Sequence, residues 1–547
     1  MKLKRPHLAG LLLIFLTAGG LTLLRAALQR DVQTDRIQAV SASISELAQS
    51  PAQSPAQLPV RALRPNREGE SSRIDSSYTE EEIAELIDRA KLFPPDPKVD
   101  RFDDGPAGVD FTAGRSFDSM DISECCADGI LNPPDPEIAV GEHFVVATVN
   151  AAVEVYDKTG SSLVGPIPLQ TFFQSLGQGC TIFPFDPNVI YDEADDRYII
   201  AADGDETDYC VAVSQGNDAT GDFNFYAFPV NVDGDRFDYP HIGVGDDAIY
   251  VGANMFGVFE GRIFAFEKET MYAGQPATSV THFLGFHSTP QPMKIRGAPP
   301  ANGKHYFITS GGGHGIFQLF SWRDPFGANI LIDEGSLDLA AVHGVKVGFG
   351  VGSPQLGGIP LNSIDPRGLD FEYRNGSGWL TSMVSCNPGG GTVNCVQWAQ
   401  IDVATATVTQ AGVFGTDDEY RIFPDLAVNV CGDMLVGYTK TSFTSHPGIW
   451  VAGRQAEDPP GTMQGEIGIK AGEIPFSTGR WGDYTSMTVD PDGVTLWYIG
   501  EYSKNISTQP NWGTHIGRVT FDSCASDSLF LDGFEWGNTA RWNNVRP

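Results

Sequence analysis

A short phrase recurs along this chain and constrains its fold more than any other feature: an acidic or aromatic residue, a proline, then apolar residues in alternation. It reads Asp135-Pro136-Glu137-Ile138-Ala139-Val140, Asp186-Pro187-Asn188-Val189-Ile190-Tyr191, Tyr239-Pro240-His241-Ile242-Gly243-Val244 and Phe423-Pro424-Asp425-Leu426-Ala427-Val428. Asp483-Tyr484-Thr485-Ser486-Met487-Thr488-Val489 is a version without the proline. Proline lacks an amide hydrogen, so within sheets it belongs at the start of a strand or on an edge. Each phrase is followed by a tight turn, such as Asp192-Glu193-Ala194-Asp195-Asp196 or Asp490-Pro491-Asp492-Gly493, and then by a stronger strand. Second strands are legible at 144–149, 197–202, 249–253, 435–439 and 495–500, and third strands at 153–156, 210–214, 263–266, 448–452 and 515–521.

Two less regular units, 293–324 and 369–414, bring the units to seven. A three- or four-stranded antiparallel sheet repeated without intervening helices buries its two faces only against its neighbours. The expectation is an all-β chain folded as a seven-bladed β-propeller, with a six- or eight-bladed propeller or paired β-sandwiches as the alternatives. The composition agrees: of 547 residues, 41% are hydrophobic, with 62 Gly and 36 Pro to punctuate many turns.

The balance of 36 Lys plus Arg against 69 Asp plus Glu leaves a net charge of −33, which repels a phosphate backbone and excludes nucleic acid as a partner. Eight cysteines occur without a CxxC or a Cys/His cluster at metal spacing, so disulfides are expected. Cys386 and Cys395 bracket the hairpin loop Asn387-Pro388-Gly389-Gly390-Gly391, and Cys180 with Cys210 is a second expected pair. Bridges imply an oxidising compartment.

The N-terminus agrees with export. Lys2, Lys4 and Arg5 precede an apolar run at 8–24, the layout of a signal peptide or, uncleaved, of a short signal anchor within 1–27. Residues 28–76 are polar, contain the tandem PAQSPAQLP, and read as a disordered linker. Thr79 and Glu82 form a capping box ahead of Ile83, Leu86, Ile87 and Ala90 on one helical stripe, so 77–132 reads as a short helix and an extended lead-in. The propeller then spans 133–521, and 522–547 is a spacer with an aromatic, acidic tail.

The passages FDPNVIYDEADDRYIIAA, DYPHIGVGDDAIYVGANMF and RWGDYTSMTVDPDGVTLWYIGEYS resemble a family of exported bacterial proteins of mostly unassigned activity. That resemblance implies a propeller. The tail DGFEWGNTARW resembles a short C-terminal motif, D-G-F-E-S-G-[DN]-T-x-x-W, of secreted Gram-negative proteins, with Trp536 where the motif has Ser. It implies a secretion or surface-sorting address.

In a propeller, ligands bind where the innermost strands and their loops converge on one end of the central channel. The recurring phrases supply that rim, which makes His241, Arg296, Asp370, Asp425, Arg480 and Asp483 candidates for a polar ligand or sugar; pairing among themselves is the competing role. Trp481 and Trp512 sit in glycine-flanked loops and are candidates for sugar stacking. Two acidic, glycine-bearing loops, Asp203, Asp205 and Asp208, and Asp233, Asp235 and Asp238, are candidates for Ca²⁺, against the alternative that their carboxylates only hold turns. No cofactor is required by any motif. G-x-S-x-G, H-E-x-x-H and P-loop signatures are absent, and no catalytic residue is assigned.

The expected role is a secreted or cell-surface propeller binding an extracellular glycan or protein, with calcium as a candidate structural ion. A polysaccharide hydrolase or lyase is the alternative, and a non-catalytic adhesion or assembly scaffold a third. Membrane contact is expected only through an uncleaved N-terminus or through sorting.

Overall fold

A computed structural model describes residues 32–33, 36–49, 109–125, 132–177, 179–256, 260–313, 315–363 and 367–527. The expected export signal, the helix from Thr79 and the tail from Leu529 lie outside the described residues.

The chain is a seven-bladed β-propeller, its strands forming seven antiparallel sheets of four main strands each. Blade 1 spans 137–168, blade 2 184–229, blade 3 236–283, blade 4 288–338, blade 5 368–414 and blade 6 420–470; blade 7 takes three strands from 486–521. The innermost strands are Glu137–Val140, Pro184–Asp192, Arg236–Val244, Ser288–Pro292, Gly368–Arg374, Tyr420–Val428 and Ser486–Val489. Each packs on the next, and the seventh packs on the first, closing the ring.

The fourth strand of blade 7 comes from the other end of the domain. Phe111–Asp121 pairs antiparallel with Trp512–Phe521, so residues expected as an extended lead-in lock the last blade to the first. Within the polar segment 28–76, the described residues 32–33 and 36–49 also depart from the expected disordered linker. Val32–Gln33 pairs with the outer edge of blade 3 and Val40–Ser43 with that of blade 2. Ile44 and Leu47 then bury themselves beside Phe172, Phe223 and Phe225. Two buried side chains and a paired backbone outweigh the polar composition around them. Blade 4 begins at Ser288 and not at the expected 293, because its phrase is Thr289-Pro290, without an acid or an aromatic ring.

The proline phrase has a common backbone form. Asp135, Asp186, Tyr239, Thr289 and Phe423, each just before the proline, have φ of 45°, 46°, 59°, 52° and 50°. Proline disfavours the right-handed helical region for the residue before it, and the left-handed region is rarely taken by non-glycine residues. In blades 2, 3, 4 and 6 the ladder register shifts at this point, so the phrase is a bulge that turns one residue toward the channel mouth.

Apolar burial is divided among the interfaces between blades. Val146, Val155, Tyr198 and Ala212 pack between blades 1 and 2, and Phe228, Phe237, Val251 and Phe266 between blades 2 and 3. Trp481, Trp497, Trp512 and Met120 join blade 7 to blade 1.

Cys180 bonds to Cys210 and Cys386 to Cys395, and a further bridge joins Cys431 to Cys524. The last ties blade 6 to the short helix Asp522–Asp527, within the stretch expected as a spacer. It spans 93 residues against 9 for Cys386–Cys395. Chain entropy then makes the long bridge worth about 2 kcal/mol more than the short one. Denaturant unfolding of Cys431→Ser/Cys524→Ser beside Cys386→Ser/Cys395→Ser is expected to show the larger loss in the first; equal losses would refute the entropic assignment.

Candidate functional site

Every innermost strand starts at the same end of the propeller, termed here the opening face. The residue two places after the left-handed position is Glu137, Asn188, His241, Gln291 or Asp425 in blades 1, 2, 3, 4 and 6, and Asp370 and Ser486 stand at the start of the innermost strands of blades 5 and 7. All seven are buried and polar. Several reach the neighbouring blade: Asn188 donates to Glu137 at 3.4 Å and to the Pro240 carbonyl at 3.2 Å. Gln291 donates to the Gly368 carbonyl at 2.9 Å, and Asp425 accepts from the Met487 amide at 2.8 Å. The ring therefore stitches blades together from inside the channel.

Lys294 fills the centre of this ring. After blade 4's innermost strand, Lys294–Arg296 crosses to run parallel with blade 5's. Lys294 Nζ lies 2.8 Å from Asp370 and 3.8 Å from Asp425. Burial disfavours its charge, but Asp370, Asp425 and Glu137 outweigh that and raise the ammonium above its ordinary value. Burial pushes the Glu137 carboxyl up to about 7 despite Lys294. It also pushes His241 well below the usual imidazole range, with Lys294 and Arg367 adding to the shift, so His241 is neutral. One layer further along the channel, Arg296 pairs with Glu372 at 3.2 Å and Glu193 at 3.6 Å.

At the opening face the left-handed residues close the mouth. Tyr239 of blade 3 meets Tyr484 of blade 7 across the channel, with ring centroids 4.7 Å apart, and the Arg367 guanidinium lies 3.9 Å over the Tyr239 ring. Asp135 accepts from the Asp483 amide at 2.6 Å and from Asn150 at 2.8 Å, while Tyr484 donates to Asp186 at 3.2 Å. Arg480 grips Asp483 with both terminal nitrogens. Burial, then Asp483 and Asp186, raises the Asp135 carboxyl well above its usual range. Glu501 is raised by burial too, though it accepts the Gly482 amide at 3.0 Å.

The candidates read from sequence thus fall into three groups. His241, Asp370 and Asp425 meet in the channel ring, Arg296 lies in the layer beyond, and Arg480 with Asp483 forms part of the mouth. Trp481 and Trp512 do not offer a face for sugar stacking, because both are buried. Trp481 packs edge-on against Phe476 and donates to Thr439 at 3.2 Å. The two acidic loops lie side by side: the Val230 amide donates to the Thr207 carbonyl and the Phe237 amide to the Glu206 carbonyl. Asp203 is buried and accepts the Glu206 amide at 2.7 Å, a turn contact. Asp208 accepts from Thr207, and the Asp233 side chain lies outside the described residues. Among the described residues the three-ligand cluster found is Cys431, Asp433 and Cys524, whose two sulfurs are joined in a disulfide.

Sequence reasoning missed Lys294, Glu137, Asn188, Gln291, Asp135, Asp186 and Tyr239. Aligning the phrases on the proline, and asking what stands one place before and one after it, identifies all of these except Lys294.

No protein-family model matches the chain, and no curated protein matches it. Among solved structures it is similar to the polysaccharide lyase Uly1, at 11% identity over 72% of this chain and 91% of that one, with a TM-score of 0.36. It is also similar to the Hadza microbial sialidase Hz136, at 10% identity over 70% and 74% with a TM-score of 0.33. The WD40 domain of SCAP from fission yeast matches at 9% identity over 76% and 88%, with a TM-score of 0.32. Likeness at this level carries no argument about activity; the fold rests on the sheet topology. Among the described residues no helix is long and apolar enough to cross a membrane.

Two outcomes follow from the plugged ring. Lys294→Met leaves Asp370 and Asp425 buried without their cation, and is expected to cost about 3–5 kcal/mol in denaturant unfolding; a loss near zero would show that the ring does not depend on it. Burial likewise raises the Glu372 carboxyl to about 7, so with Glu137 two carboxyls hold their protons in the folded state while the unfolded chain releases them near 4.5. The stability these two groups contribute is expected to fall as pH rises from 4.5 to 7, and their share of the fall to end above that. Glu137→Gln removes one such proton and is expected to flatten the fall by about 3 kcal/mol. An unchanged slope in pH-dependent melts would contradict the assignment.

Proposed function

We propose that this chain is a non-catalytic binding protein of the cell surface or the space outside it, and that a glycan or a protein docks across its opening face. The observation that carries this reading is the filled channel. Lys294 pairs with Asp370 and Asp425 inside it and Tyr239 meets Tyr484 at its mouth, so on this face a partner meets the loops around the mouth and not an open channel. Loops held on a rigid scaffold are where binding residues concentrate. The disulfides support an oxidising compartment, and Lys2, Lys4 and Arg5 ahead of the apolar run at 8–24 support export.

One feature favours a second reading, a polysaccharide hydrolase or lyase. Asp135 and Glu501 are carboxyls raised by burial near the Tyr484–Asp186 hydrogen bond, and raised carboxyls are the material of general-acid catalysis. Both already accept backbone amides, which supports a structural use.

Incubation with acidic and neutral polysaccharides is expected to release neither reducing ends nor unsaturated sugars. Sustained release that Asp135→Asn abolishes would replace the binding reading by the enzymatic one.

A further inference from the structure

Exposed apolar side chains are concentrated at one end of this propeller. Ile182, Phe286, Val342, Phe349, Leu356 and Ile359 lie in connections from the outermost strand of one blade to the innermost of the next, and Phe443 lies in the hairpin between the second and third strands of blade 6. With four antiparallel strands per blade, both kinds of connection fall on the opening face. The other exposed large apolar residues, Val40, Leu163 and Ile332, are on outermost strands. Monomeric surfaces rarely gather such residues without a partner to cover them.

The densest group is carried by the strap 344–363 between blades 4 and 5. Phe349 is 55% exposed, Leu356 43%, Ile359 38% and the neighbouring Phe443 39%. The strap is not loose. Val345, Val347 and Val351 pack on Val384, Val393 and the Cys386–Cys395 bridge. Gly348 and Ser385 exchange backbone hydrogen bonds, Leu356 donates to the Ser445 carbonyl at 3.0 Å, and Gln355 accepts from the Phe476 amide at 2.7 Å. Asn362 donates to the Gly479 carbonyl at 2.7 Å, beside Arg480. A backbone pinned at both ends holds its apolar side chains outward in the free protein, which lowers the ordering cost of covering them.

The charge around this patch has one dominant sign. Asp417 and Asp418 are exposed next to Tyr420, whose ring faces Phe443. The acidic loops bearing Asp205, Asp208, Asp235 and Asp238 lie on the same face, over blades 2 and 3. The bases nearby are occupied: Lys440 pairs with Glu419 and Glu466, Lys470 with Asp118 and Glu473, Lys504 with Asp121, and Arg480 with Asp483. Lys346 is the exposed base of the strap.

Resting on the reading of the opening face as the binding surface, we propose that its occupant is a cationic polypeptide segment with an apolar side. The strap residues Phe349, Leu356 and Ile359, with Phe443, take the apolar side, and Asp417 and Asp418 take the basic one. A protein fits this patch better than a glycan: Leu, Ile and Phe offer no hydrogen bonds to hydroxyls, and of the described tryptophans, the rings best suited to stack on sugars, six are buried and the seventh, the half-buried Trp450, has Lys440 Nζ 3.6 Å from its ring centroid.

The test uses the full chain from an oxidising compartment, with a Leu/Lys amphipathic helical peptide, its Leu/Glu counterpart, polygalacturonate and a neutral glucan as probes in a titration read by anisotropy or calorimetry. The Leu/Lys peptide is expected to bind and the Leu/Glu peptide is not. Phe349→Ser/Leu356→Ser is expected to weaken binding about ten-fold or more at an unchanged melting temperature. Asp417→Asn/Asp418→Asn is expected to weaken it less and to reduce its salt dependence. Absence of Leu/Lys binding, equal binding of both peptides, or a polysaccharide bound through Phe349 and Leu356 overturns the cationic occupant while leaving the opening face as the binding surface. Peptide binding that none of the four substitutions moves overturns both this inference and the reading on which it rests.

Discussion

A lysine ammonium at the centre of a ring of buried polar side chains is the constraint around which this propeller is arranged. Lys294 reaches that position because the chain, on leaving the innermost strand of blade 4, adds three residues to the inner edge of blade 5 before continuing outward. Asp370 and Asp425 then have a cation in contact, and Glu137 one in range. Taking several carboxylates from water into a channel costs many kcal/mol unless the charges are compensated in place. The compensation here is geometric as much as electrostatic. Asn188 reaches the Pro240 carbonyl, Gln291 that of Gly368, and Asp425 the Met487 amide, so the groups that share the charge also fix the spacing of neighbouring blades.

The same ring explains why a motif with a costly backbone recurs. A non-glycine residue at positive φ before a proline is unfavourable in isolation. At Asp186, Tyr239, Thr289 and Phe423 it bulges the strand so that one side chain turns to the mouth and another, two residues on, to the channel; at Asp135 it stands just ahead of the strand, with Glu137 two residues on. Tyr239 can then meet Tyr484 across the mouth, which a regular pleat starting at the same place would not arrange.

That repetition was legible in the sequence, and with it the propeller and its seven blades, because a period-two apolar pattern bounded by turn residues reports strand and turn directly. The beginning of blade 4 was not, since Thr289 carries neither the charge nor the ring that marks the other phrases. Nor were the strands at 32–33, 40–43 and 111–121: each completes a sheet whose other strands are distant in sequence, so nothing local marks it. The candidate site was legible by residue type and not by partner. His241, Asp370 and Asp425 were singled out at the starts of units, but Lys294, which decides their role, belongs to none of the recurring phrases. Trp481 and Trp512 misled because flanking glycines suggest an open loop; here Gly482 and Gly513 let the backbone approach Glu501 and Lys504 closely.

A channel spent on internal charge pairs moves the argument about function outward. Most of the charged groups that converge on the axis have a partner within the chain, and the tyrosines that close the mouth have each other. The exposed large apolar side chains among the described residues are not distributed at random. Most lie on the connections of one face, the densest group on a strap whose backbone is tied to three blades and whose inner valines sit on a disulfide. Leaving Phe349 and Leu356 in water forgoes about 25 cal/mol for each Å² of apolar surface left uncovered. That gain is realised only when something covers the surface, and the acidic groups beside the strap bias what that is toward positive charge.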